Sequence, residues 1–243
     1  YGDIKMASKN KVLFKRPNLS QITKLKDVLV YFCDDSIRND KFDNMLNKIT
    51  EGSIERIKNN PKFLKLKEGC FVEFQLPFPL KLDSLIIVKK PNNPNKLSTQ
   101  EIGAHLSKHI DQRNVSIFSE DENFLINVIF GFEIRSYHFD KYKSEKKTTS
   151  RKIQIFCNNP TKLNLKYQDL SVVNQGMIFA RDLTNEPSNI LTTIEFSNRL
   201  KKLEKIGLKV KILDENELIK LGMNALLGVG QGSPSPSKVV IME

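Results

Sequence analysis

Asn114-Val115-Ser116-Ile117-Phe118-Ser119, followed almost at once by the pattern that starts at Glu122, decides the fold. A short apolar run with β-branched residues reads as a buried strand. The residues after it place Phe124, Leu125, Val128, Ile129 and Phe132 at helical spacing, and the pattern predicts a helix over 122–143 with an apolar first half. The same alternation runs outward in both directions. Upstream, Val28–Cys33 is an apolar run ending in Asp34-Asp35, and Asp40–Lys58 has Phe42, Met45, Leu46, Ile49, Ile54 and Ile57 near helical spacing, broken by Gly52. Asn59-Asn60-Pro61 reads as the end of that helix. Cys70–Phe74 reads as a strand stopped by Pro77 and Pro79, and Leu85–Val88 as another, closed by the loop Lys89–Pro94. Ser98, with Glu101 three residues on, predicts a capping box and a helix to about Ile110. Ile153–Cys157 is a further strand, broken by Asn158-Asn159-Pro160.

From Leu165 to Asp182 the pattern is one long helix, and Asn185–Asn189 ends it. Thr192 and Thr193 cap the next helix, with Gly207 at its end; Val210–Leu213 is a strand, Asp214 caps a short helix closed by Gly222, and Val239–Met242 is a last apolar strand. The fold class is therefore α/β: an N-terminal layered α/β domain with a mixed, largely parallel sheet over 1–160, a linking helix and junction over 161–190, and the incomplete start of a second α/β domain over 191–243.

Composition narrows the function classes. The chain has 243 residues, room for one large domain or two small ones. No apolar run is long enough for a membrane-spanning helix, and the opening Tyr1-Gly2-Asp3-Ile4-Lys5-Met6 has no apolar signal region. Without an initiator Met, the start is expected to be processed or cropped. Cys33, Cys70 and Cys157 are odd in number and far apart, which points to three small buried hydrophobes in a reducing, cytoplasmic setting. The net charge of +11 is uneven: residues 1–160 carry 28 Lys+Arg against 19 Asp+Glu, and the rest carry 11 against 9. Basic charge of this kind is mostly a solvated surface, with nucleic acid or another polyanion as the functional alternative.

Three stretches could carry chemistry. Gly228-Val229-Gly230-Gln231-Gly232-Ser233 has glycines at alternate positions, neither the dinucleotide nor the P-loop spacing, and Pro234 and Pro236 follow it; it reads as a glycine-permitted turn with close backbone packing. His105 and His109 are spaced i, i+4 but have no third ligand, and His138 is remote in sequence. Arg181–Asn189 is rich in cap and turn residues and reads as structural.

Two of these stretches carry a resemblance. Arg181-Asp182-Leu183-Thr184-Asn185-Glu186-Pro187-Ser188-Asn189-Ile190-Leu191-Thr192 resembles the junction motif of leucyl (cytosol) aminopeptidases. Leu221–Ser233, with Gly222-Met223-Asn224-Ala225-Leu226-Leu227-Gly228 at its centre, is similar to the same family's next signature, and Tyr137–Ser144 to a helix end in its first domain. The likeness covers about 125–243. Thr193 and Asn224 depart from it, standing where Pro and Gly are usual.

The resemblance implies a two-domain hydrolase that removes N-terminal residues, often Leu, from peptide substrates. It implies two divalent metal ions, Mn or Zn, that activate a bridging water, and a homo-hexamer in the cytoplasm. The family's metal ligands follow a strand equivalent to the one ending at Met242, so no catalytic, cofactor-binding or metal-ligating residue is assigned within this chain. The expectation is of a fragment that is inactive alone. The alternative function is a basic N-terminal module for DNA binding or assembly, centred on Lys143, Lys146, Lys147, Arg151 and Lys152.

Overall fold

The computed structural model describes residues 10–33, 41–75, 81–144 and 150–243; Asp34, Asp35, Pro77, Pro79, Lys146 and Lys147 lie outside the described residues. The chain divides into two compact units, one ending at Ile178 and one running from Phe179 to Glu243.

The first unit contains β1 (Lys11–Lys15), α1 (Leu19–Ile22), β2 (Val28–Cys33), α2 (Lys41–Ile49), α3 (Ser53–Lys58), α4 (Pro61–Leu64), β3 (Phe71–Phe74), β4 (Leu85–Lys89), α5 (Lys96–Ile110), β5 (Val115–Phe118), α6 (Glu122–Arg135), β6 (Lys152–Phe156) and most of α7 (Pro160–Asn185). The sheet order is β1-β6-β5-β2-β4-β3. Every pairing is parallel except β3 with β4, which is antiparallel at the edge. The largely parallel sheet follows from the βα alternation, because parallel neighbours need crossover connections.

Strand β2 is buried at all six positions, as a central strand covered on both faces must be. Its alternate side chains feed two cores. Val28, Val30 and Phe32 join Ile86, Val88, Val115, Ile117, Ile153 and Ile155 beneath α5 and α6. Leu29, Tyr31 and Cys33 join Leu85, Ile87, Phe118 and Phe156 with Leu46, Ile54 and Phe63 from α2, α3 and α4. The period-2 pleat thus builds a three-layer unit from one strand sequence.

Helices α5 and α6 cross at two glycines. A Cβ on Gly103 would lie 2.0 Å from the Val128 carbonyl oxygen, and one on Gly131 would lie 1.9 Å from that of Gln100. Behind the crossing, Arg151 is 6% exposed. Its guanidinium donates to Ser107 Oγ at 2.9 Å and to the Ser107 carbonyl at 3.4 Å, as well as to the Asp111 carbonyl and Ser136 Oγ, and it lies 4.7 Å from the Phe132 ring centre. Asp111 caps α5 with φ of 54°, a left-handed conformation that a non-glycine residue adopts only when its surroundings hold it.

Several local expectations change. Helix α6 ends at Arg135 rather than Lys143, because Ser136 turns its hydroxyl back to the Phe132 carbonyl (2.7 Å) and receives Arg151 on the same oxygen. The α5 cap is Asn95, whose side chain accepts from Ser98 N at 2.8 Å; Ser98 is the third helical residue, not the cap. Asn60-Pro61 and Asn159-Pro160, read as breaks, are starts: each Asn accepts from the backbone two or three residues on, and each Pro opens a helix. Helix α7 consequently begins five residues before the expected Leu165. Cys33 and Cys157 are buried, but Cys70 is exposed. Burial, joined by the nearby Glu122 charge, pushes the Cys157 thiol up to about 11, so it behaves as an inert core group.

The second unit contains the end of α7, α8 (Thr193–Lys201) running into a 3-10 turn (Lys202–Ile206), β7 (Val210–Leu213), α9 (Glu215–Lys220), α10 (Asn224–Gly230) and β8 (Val239–Met242). Strands β7 and β8 pair antiparallel, Val210 opposite Met242 and Leu213 opposite Val239. The core is small: Leu200, Leu203 and Val210 cluster, with Phe179 and Val240 packed against them, and Leu213 and Leu218 are also buried.

Candidate functional site

The junction motif closes α7 and turns into α8. Thr192, in extended conformation, accepts from Glu195 N and caps α8. One turn on, Arg199 forks between two carboxylates: Nε donates to Glu195 Oε1 at 2.8 Å, and Nη1 to Glu186 Oε1 at 2.9 Å. The Glu186 side chain is 2% exposed and that of Arg199 17%. The hydrogen bond that Arg199 donates to Glu195 raises the Arg199 pKa against the opposing effect of burial, and Glu186 adds to the rise. A charge-assisted fork of this kind fixes geometry as well as energy, and it pins the Glu186–Leu191 turn to the helix that follows.

The second signature is built around Ser237, which is 9% exposed. Its N–H donates to Glu215 Oε1 at 2.8 Å, and its Oγ lies where a Cβ on Gly230 would come within 2.0 Å. Close packing at Gly230 is therefore as expected, but the expected turn is a helix, since Gly228 and Gly230 lie in the last turn of α10. Asp214 and Glu217 form a full capping box at the start of α9, and Gly222, with φ of 69°, ends that segment. The two departures from the family pattern fit without strain: Thr193 and Asn224 have no positive φ. Thr193 is the first residue of α8, a position that suits Pro, and its hydroxyl instead donates to the Pro236 carbonyl at 2.7 Å.

The histidine pair does not act as a ligand set. His109 Nε2 is 2.6 Å from Glu73 Oε2, and its ring packs edge-on against Phe71 with centres 4.9 Å apart. Glu73 also receives Arg113 at 2.8 Å and the Ser84 hydroxyl. Burial opposes the Glu73 charge, but the hydrogen bonds from Arg113, Ser84 and His109 and the Arg113 charge outweigh it and lower the carboxyl from 4.5 to about 2. Among the described residues, no three of His, Cys, Asp and Glu converge as metal ligands. No helix among them is long and apolar enough to cross a membrane.

The basic segment near residue 150 is also changed. Arg151 is spent inside the first unit, while Lys143 is exposed. Arg151 therefore contributes no surface charge, a fate invisible in a run of cations.

Residues 178–243 match the family model described as the cytosol aminopeptidase family, catalytic domain. A probable cytosol aminopeptidase of Dinoroseobacter shibae is 37% identical over 198 residues, covering 82% of this chain and 41% of the relative. One from Cereibacter sphaeroides is 30% identical over 232 residues, covering 96% and 47%. A solved tomato leucine aminopeptidase variant shares the fold, with a TM-score of 0.76 at 20% identity, over 100% of this chain and 51% of that one. The bottromycin maturation enzyme BotP in complex with Mn gives 0.64 at 16% identity, over 90% and 45%. The chain thus spans about half the length of the curated relatives it matches. The chain belongs to the cytosol aminopeptidase family.

Proposed function

We propose that this chain is the scaffold half of a metal-dependent aminopeptidase that removes N-terminal residues, Leu by preference, from peptides. The observation that carries the reading is the match of 178–243 to the family's catalytic-domain model, together with relatives of which this chain covers only 41% and 47%. Two divalent ions, Mn or Zn, belong to the whole enzyme and are held by the other half of its catalytic domain. The chain by itself hydrolyses no peptide, and the whole enzyme is a cytoplasmic homo-hexamer.

The 243-residue chain, incubated with leucine p-nitroanilide and Mn, should release no p-nitroaniline. Joined at Glu243 to the remaining half of the Dinoroseobacter shibae protein, it should gain Mn-dependent hydrolysis and elute as a hexamer. Hydrolysis by the chain alone would overturn the scaffold reading. A soluble fusion that bound Mn but cleaved neither leucine nor any other aminoacyl anilide would overturn the aminopeptidase reading.

A further inference from the structure

We draw no further inference here: the strongest candidate, the exposed apolar stripe of Leu165, Val172 and Val173 along α7, carries nothing because no feature of the structure shows what covers it.

Discussion

The two units bury their apolar residues on very different scales. The first sandwiches a six-stranded sheet between two cores, and its central strand has no exposed position. The second has a two-stranded ribbon and five buried hydrophobic residues, three of them in one cluster, while Ile219, Leu221 and Val229 are 60%, 62% and 89% exposed. A two-stranded ribbon is marginal in water unless other elements cover it. In the second unit, caps, ion pairs and backbone ties therefore carry a larger share of the order. The same sequence devices have different weight in the two places: a cap trims an already stable helix in the first unit and sets the path of the chain in the second.

A single cooperative transition, where two are expected, would erase this contrast. In urea, hydrogen exchange read along the chain should show 193–243 opening before 28–33 and 115–118. The largest single-site effect should fall on the α5–α6 crossing. Gly131→Ala places a methyl against the Gln100 backbone and should cost about 3 kcal/mol of first-unit stability, lowering its urea midpoint and leaving exchange in 193–243 unchanged.

Arg199→Ala should come next. It removes the guanidinium from a Glu186 carboxylate almost out of solvent, costs about 2 kcal/mol, and frees the amides of Glu186–Leu200 to exchange. Glu195→Gln, on the more exposed arm of the same fork, should cost less than about 1 kcal/mol. Equal losses from the two variants would show that burial of Glu186 does not set the fork's strength.

A smaller effect is expected at Glu73. Its folded pKa lies below the unfolded value, so its contribution is complete above pH 4.5 and is lost as pH falls toward 2. Glu73→Gln should flatten the loss of first-unit stability between pH 4.5 and 2 in urea titrations, and an unchanged slope would assign the acid sensitivity elsewhere. The smallest effect belongs to Thr193→Pro. Thr192 already has the extended conformation that precedes proline, and Pro suits the first helical position, but the bond to Pro236 is lost; the net change should stay within about 1 kcal/mol. A larger loss would make the Thr193–Pro236 tie the principal hold on the segment before β8.

Much of the fold is legible in the sequence because burial in a parallel sheet leaves uninterrupted apolar runs, as in Val28–Cys33 and Val115–Phe118. Lys11–Lys15 is harder to read, since an edge strand needs only one apolar side and Lys residues bound it. Asn-Pro misleads because one dipeptide can stop a helix or start one, and which it does depends on whether the Asn side chain finds the next amides. The overrun past Arg135 has a tertiary cause: the α6 end is set in part by Arg151, distant in sequence. At the candidate site, the motifs give the family but not the fork at Arg199, because the partner across the turn is chosen by the path of the chain and not by local spacing.

The pairing of β1 with β6 bears on synthesis. Lys11 lies beside Lys152, so the first strand leaves the ribosome about 140 residues before its only sheet neighbour among the described residues. At about 5–20 residues per second, that is a wait of roughly 7–30 s, far longer than local helices need to form. Val12, Leu13 and Phe14 are over that interval a short apolar segment without its strand partner, and Lys11 and Lys15 at its two ends are charges of the kind that oppose aggregation of such a run.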